Sequence, residues 1–357
     1  MTQATPPVWG GRASGRARVL VTGAGGNVAQ GILKALAGSG LASWVVATDA
    51  NPCSPGLFLV DRGYVVPKGD DPGFEAALAR IIRDERIDLT LVGADAETLH
   101  LARLRGSLEE ATGSTVLVSP PEVVARCHDK WLTSLWFREQ GLPHPETVLA
   151  GDAPGAARLA EAFGYPLVVK PRTGFASRDV LLVEDAAQLA AARERFGDAA
   201  VVQEHVGDPG REYTATAFSS APGDVRAVLV MRRELLQGTS VRIEPVDDPA
   251  LSAAVKLWAQ RLGGLGSVNF QFRLTDRGPV CFEINARFSG TMGARHHFGY
   301  NDAAMAVRHF ALGEAVEQPA IRPGVVLRFW EELFLPEATL GSLARQERFA
   351  GAGAFRG

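Results

Sequence analysis

In the segment Cys281-Phe282-Glu283-Ile284-Asn285-Ala286-Arg287 a carboxylate, an amide and a guanidinium recur at every second residue. On an extended strand that spacing puts the three polar side chains on one face. Glu283 and Asn285 then form a hard oxygen site suited to Mg²⁺, which fills the rest of its shell with water and substrate phosphates, and Arg287 stands where a phosphate would lie. The upstream run Val268-Asn269-Phe270-Gln271-Phe272 reads as the neighbouring strand, one face of which can present Gln271 to the same metal. The competing reading is an ion pair between Glu283 and Arg287 on a half-exposed strand.

A second set lies upstream, where Tyr165-Pro166-Leu167-Val168-Val169-Lys170-Pro171 ends an apolar strand in a lysine. A lysine desolvated in this way is costly unless it meets an anion, and a phosphate is the natural partner. The following residues, Arg172 to Arg178, include Thr173, Gly174 and Ser177, a turn whose backbone N–H groups suit further phosphate oxygens. The alternative is a surface lysine whose stem covers the strand end while its ammonium reaches water. Beyond the metal strand, Ser289 to Arg295 reads as a substrate loop, with Arg295 either holding a carboxylate or facing solvent. The adjacent His296 and His297 point in different directions and do not suit a shared metal. Arg232, Arg233 and Arg242 are further candidates for phosphate or carboxylate contacts.

These groups need a scaffold, and the hydrophobic pattern supplies one. From Arg18 to Asp49 an apolar run (Val19 to Val21), a glycine turn, a helical stretch ending at Gly38 and a second apolar run (Trp44 to Thr48) make a βαβ unit. An amphipathic stretch Pro72 to Glu85, a strand Leu89 to Val92, a helix through Leu104 and a strand Val116 to Val118 continue it, so a Rossmann-like parallel sheet ends near Ser119. Two helices are expected over Pro120 to Gln140, with Ser119 as N-cap and Pro120 in the first turn.

After Pro143 and Pro145 the character changes to α+β. Strands are expected at Leu167 to Lys170, Val180 to Val183, Ala200 to Glu204 and Glu212 to Ser219, with a helix Ala186 to Phe196. Later strands fall near Ala227 to Arg232, Ser267 to Leu274 and Val280 to Ile284, with a helix Pro249 to Leu262. The division reads as a disordered leader (1–17), a parallel-sheet domain (18–119), linker helices and a small lobe with a phosphate lid (120–224), and a lobe with the metal site (225–357).

Composition excludes some partners. With 357 residues, 46% hydrophobic, 22% charged and a net charge of -3, the chain is large enough for several domains and has no bias toward polyanions. No apolar run approaches membrane-span length, and Cys53, Cys127 and Cys281 lack metal or disulfide spacing, so a cytoplasmic protein is expected. The turn Gly23-Ala24-Gly25-Gly26-Asn27 with Asp49 closing the next strand could bind a dinucleotide, but the same glycines also serve tight strand-to-helix packing, and no hydride-transfer site follows.

Taken in order, the glycine turn, Asp129-Lys130, Val168-Val169-Lys170-Pro171, Gln203-Glu204-His205-Val206, Glu212-Tyr213 and Glu283-Ile284-Asn285-Ala286-Arg287 resemble the ATP-grasp superfamily. Within it, Arg18 to Leu312 is similar to one half of the carbamoyl phosphate synthetase large subunit. The resemblance implies a two-lobed ATP-grasp module behind the Rossmann-like domain. It assigns Lys130 and Lys170 to ATP phosphates and Thr173 to Asp179 to the lid. Glu204 to Val206 become the hinge beside adenine, following Gln203, and Glu212 lies near the ribose or a cation. Gln271, Glu283 and Asn285 would bind Mg²⁺ or Mn²⁺, with Arg287 at the transferred phosphate.

The implied activity is ADP-forming ligation of a carboxylate and an amine through an acyl phosphate. The expected partners are small-molecule acid and amine substrates, with a homodimer as the alternative to a monomer and neither nucleic acid nor membrane. A carbamoyl-phosphate-forming enzyme, which uses two such halves, and a silent ATP-binding protein are the rivals within the superfamily. Two departures mark this chain: a lid poor in glycine, and Gln271 where many relatives carry a carboxylate.

Overall fold

The computed structural model describes residues 16–174, 179–336 and 348–350. Ser177 and most of the expected lid, together with residues 1–15 of the expected leader, lie outside the described residues.

The N-terminal sheet contains the parallel strands β1 (Ala17–Val21), β2 (Ala42–Asp49), β3 (Arg62–Val65), β4 (Leu89–Leu91) and β5 (Thr115–Leu117), in the order β3-β2-β1-β4-β5. Val19, Leu20 and Val21 are all fully buried, as expected where helices cover both faces of a parallel sheet. The helix expected to run through Leu104 extends over Asp95–Thr112 and stops at Gly113, whose φ of 70° is left-handed. Strand β3 escaped the sequence reading because Arg62 and Gly63 interrupt any apolar pattern.

Two helices, Pro121–His128 and Lys130–Glu139, lead out of this domain. Ser119 does not cap the first. Its hydroxyl instead accepts from Leu265 N (3.0 Å) and donates to Leu265 O (3.3 Å), tying the sheet's end to the last lobe.

The small lobe is an antiparallel sheet of β6 (Thr147–Leu149), β7 (Leu167–Pro171), β8 (Leu181–Val183) and β9 (Ala200–Glu204), in the order β6-β9-β7-β8. The larger lobe holds β10 (Glu212–Ala221), β11 (Asp224–Leu236), β12 (Thr239–Pro245), β13 (Gly266–Thr275), β14 (Gly278–Asn285) and β15 (Val326–Leu327), in the order β14-β13-β10-β11-β12-β15. Strand β10, grouped with the small module by sequence, pairs here with β11 and β13. Strand β16 (Arg348–Ala350) returns to pair antiparallel with β3.

The cores show which of these units are packed together. Val19, Val21 and Ile32 of the first domain share one core with Phe288, Met292 and Tyr300, and Leu20 and Leu101 share another with Trp258 and Phe270. The small lobe packs separately around Leu159, Leu167, Val169 and Val202. Burial therefore fuses the first domain to the large lobe, while the small lobe is packed around a core of its own.

Candidate active site

The small lobe faces the large lobe across a cleft of about 430 Å³ lined by Lys130, Lys170, Glu204, Glu212, Glu283 and Asn285 among others. A larger groove of about 760 Å³ along β11 contains none of these groups.

On the large lobe, β13 and β14 pair in the register Asn269↔Asn285 and Gln271↔Glu283, then slip so that Phe272 faces Cys281. That irregularity leaves Phe282 without a partner residue, and its carbonyl lies 3.5 Å from Lys170 Nζ across the cleft. Glu283 Oε1 accepts from Gln271 Nε2 (3.1 Å) and Asn285 Nδ2 (3.0 Å). Its Oε2 has no protein hydrogen bond among the described residues, so one carboxylate oxygen is available to a cation. Gln271 Oε1 is taken by Arg233 (2.6 Å) and Asn285 Oδ1 by Arg287 (3.1 Å).

Among the described residues no three His, Cys, Asp or Glu side chains converge on one point. The donor set therefore fits Mg²⁺ held by a single carboxylate and completed by phosphate and water oxygens, with Gln271 and Asn285 orienting Glu283 as they stand.

The period-two spacing of the metal segment ends at Asn285. Arg287 lies past β14, where its N–H turns back to Asn285 O (2.8 Å). Its guanidinium is gripped by Asp95 through Nε–Oδ1 (2.5 Å) and a second bond to Oδ2 (2.6 Å). Asp95 begins the helix after β4, so the N-terminal domain contributes an acid to the cleft. Sequence reasoning missed it because the pair is 192 residues apart.

Lys170, next to last in β7, is 6% exposed with no acid within ion-pair distance among the described residues. Burial pushes its ammonium down to about 8, and Glu283 opposes that shift while nearby Lys130 and Arg273 add to it. Lys130 is placed by Asp129, which caps the helix Lys130–Glu139 by accepting from Trp131 N (2.9 Å). Asp129 also binds Arg172, 2.6 Å away, just past β7. Burial alone would raise the Asp129 pKa, but Arg172 and the helix N–H groups more than offset it and hold the carboxyl low. Lys130 Nζ donates to Gly174 O (3.2 Å), and burial lowers its pKa against the pull of Glu283.

The remaining expected contacts are brought to the cleft with their side chains engaged. Gln203 donates to Thr147 Oγ1 (2.9 Å), and Glu204 accepts from Glu146 N (3.1 Å) and pairs with Arg277 (2.5 Å). His205 meets Arg273 (3.3 Å), and burial followed by that positive charge lowers its pKa. Val206 O accepts from Arg273 (2.9 Å). Glu212 is held by two arginines, Arg233 at 2.7 Å and Arg273 at 3.0 Å. Thr173 and Gly174 line the cleft. Arg232 and Arg242 pair instead with Glu244.

Arg295, expected to hold a carboxylate or face solvent, is buried and does not line the cleft. It is 0% exposed and donates to Asp302 (2.5 and 3.0 Å), Ser289 (2.8 Å) and Thr291 (3.1 Å), so it fixes the loop from beneath. Breaking a buried pair leaves an uncompensated charge, so Arg295→Met should cost about 3–5 kcal/mol in chemical denaturation. A loss below about 1 kcal/mol, the range of exposed pairs, would contradict this role.

The glycine turn is closed on itself. Asp49 Oδ2 accepts from Gly25 N (2.7 Å) and Oδ1 from Asn51 N (2.8 Å), so the acid a dinucleotide ribose would need is spent on backbone. Gly23 is required there for two reasons: its φ is 63°, and a Cβ would sit 2.3 Å from Ala94 Cβ.

Comparison with known proteins agrees with this architecture. A family model described as "ATP-grasp in the biosynthetic pathway with Ter operon" matches residues 198–333, and one described as "PylC-like, N-terminal domain" matches residues 19–117. A carbamoyl-phosphate synthase of Methanobrevibacter smithii is 22% identical over 69% of this chain and 68% of its own length. A D-alanine–D-alanine ligase of Chromohalobacter salexigens is 32% identical over 43% of this chain and 47% of its own length. The ADP complex of N5-carboxyaminoimidazole synthetase from Staphylococcus aureus shares the fold with a TM-score of 0.69 at 15% identity, over 88% of this chain and 82% of that one. Among the described residues no helix is long and apolar enough to cross a membrane. The chain thus carries a PylC-like N-terminal domain over residues 19–117 and an ATP-grasp domain over residues 198–333, the second of which supplies Glu283 to the cleft it shares with Lys170.

Proposed function

We propose that the protein is an ADP-forming carboxylate–amine ligase that works through an acyl phosphate, acting on small molecules in the cytoplasm. The observation that carries this reading is the opposition of two unsatisfied groups across one cleft. Among the described residues Lys170 is buried without an acidic ion-pair partner, and Glu283 keeps one oxygen free of protein hydrogen bonds. An ATP phosphate with its divalent cation satisfies both at once. The names of two relatives, a ligase and a carbamoyl-phosphate synthase, and the ADP held by a structure of the same fold support it.

In this reading Lys130 and Lys170 hold phosphate oxygens, helped by the backbone of Thr173 and Gly174 and by Ser177 in the lid. Gln203 to Val206 edge the adenine pocket, and Glu212 stands on the ribose side, oriented by Arg233 and Arg273. A Mg²⁺ or Mn²⁺ ion bound through Glu283 would neutralise charge on the β- and γ-oxygens. Asp95 and Asn285 keep Arg287 beside the transferred group.

The substrate carboxylate attacks the γ-phosphorus, and the bond to the bridging oxygen breaks, leaving ADP. An amine then attacks the acyl carbon, loses a proton and expels phosphate, which carries away one carboxylate oxygen. Closure of the small lobe excludes water from the intermediate. With ¹⁸O in the acid, one label is expected in the released phosphate. AMP with pyrophosphate, or unlabelled phosphate, would refute this route. ATP binding without turnover of any acid and amine would favour the silent nucleotide-binding rival.

A further inference from the structure

The arginines of the cleft divide into two kinds. Arg233 and Arg273 are paired with Glu212, and Arg287 is paired with Asp95. Arg328 lines the same cleft but has no acid within ion-pair distance among the described residues. Its only side-chain hydrogen bond there goes to the carbonyl of Gly290. It follows β15, its own N–H bound to Val241 O (2.8 Å), so the guanidinium reaches from one edge of the six-stranded sheet to the loop that leaves the other edge at β14. It is partly buried, and burial alone pulls its pKa down with no opposing acid.

Its surroundings are suited to an anion. Gly290 abuts Asn27, since a Cβ on Gly290 would lie 2.7 Å from Asn27 Nδ2. Asn27 opens the helix Asn27–Ala37, whose N-cap, Gly26, offers no side-chain bond to the first-turn N–H groups. On the other side, Ser289 and Thr291 line the cleft with hydroxyls fixed by the buried Arg295.

We propose that Arg328, with Asn27 and the Ser289–Thr291 loop, forms a subsite for a carboxylate that is not itself phosphorylated. One substrate therefore carries an anionic carboxylate besides its reacting group. It is either a dicarboxylic acid or an amine that is also an acid, such as an α-amino acid. The proposal rests on the ligase reading above and adds the substrate class to it. A guanidinium held in this geometry offers two parallel N–H donors to a carboxylate, which an amide cannot replace.

The test is calorimetry on the full chain, with and without MgADP, using glutarate against its diamide glutaramide and each common L-amino acid against its amide. Binding by glutarate but not glutaramide assigns the subsite to the acid substrate, and binding by an amino acid but not its amide assigns it to the amine. Arg328→Gln should weaken the carboxylate-bearing probe by about tenfold or more, and Arg328→Lys by less. Unchanged MgADP binding in both variants shows that they fold. The proposal is overturned if no carboxylate probe binds the wild-type chain, if the amide binds equally well, or if Arg328→Gln binds the probe unchanged. Failure of MgADP to bind the wild-type chain would count against the ligase reading instead.

Discussion

Replacing Glu283 by Gln is expected to abolish ADP formation, by on the order of 10³-fold, while the chain stays folded. Oε1 already accepts from the amides of Gln271 and Asn285, so the carboxylate is oriented with Oε2 toward the cleft. Gln keeps the volume and an acceptor but removes the only carboxylate of the candidate metal set. The fold should survive because the side chain is only part-buried and β14 is held by its backbone pairing with β13. Two measurements check this: ADP release with whichever acid and amine the wild-type chain turns over, and the Mg²⁺-dependent part of ATP affinity, which requires no second substrate. Undiminished turnover at saturating Mg²⁺ would leave Glu283 as a strand-face acid with a purely structural role.

Removing the Lys170 charge with Lys170→Met should weaken ATP binding by about tenfold to a hundredfold, and the effect should depend on pH in a definite sense. Burial holds Lys170 at about 8, below the ordinary 10.5 that it has when unfolded. A depressed lysine favours the folded state fully above the unfolded pKa, and that contribution is lost as pH falls through the folded value, near 8. The wild-type chain should therefore gain stability relative to Lys170→Met as pH rises from about 8 to 10.5.

An ATP phosphate reverses the imbalance by favouring the ammonium. Binding near the pH where Lys170 is half-charged should then take up a proton. Calorimetry in buffers of different ionisation heat would detect this uptake in the wild-type chain, and Lys170→Met should lack it. An uptake that survives the substitution would assign the proton to another group, and identical ATP affinity in the two chains would remove Lys170 from the phosphate site.

What could be read from sequence was local. The lysine at the end of β7 and the carboxylate–amide pair of β14 depend on strand periodicity, a property of consecutive residues, and the structure places them on facing lobes. The helices Ala186–Phe196 and Pro249–Leu262 were legible to the residue because Asp185 and Asp248 cap them and glycines follow their ends. The Asp129 cap that sets Lys130 was visible only as a sequence pair, since its second partner, Arg172, is 43 residues away.

Only the tertiary structure could assign the arginines, because a guanidinium reads the same in sequence whatever acid it meets. Arg295 is taken by Asp302 within a loop that Ser267 of β13 helps close, and Arg287 is taken by Asp95 of another domain. Arg328 gained its place when the two edges of one sheet were brought together at Gly290. Strand β10 joined the large sheet for the same reason: its own alternation fits either lobe, and the choice was made by the hydrogen bonds of β11 and β13. The sequence by itself marked the strands that carry a clear apolar run, such as β1, β7 and β14, together with Lys170, Glu283 and Asn285 upon them, since backbone periodicity is local; it did not mark β3, β6, β12, β15 or β16. Which charges remain free to meet a ligand was decided by long-range pairing, since a charge is free only when nothing distant in the chain has folded against it.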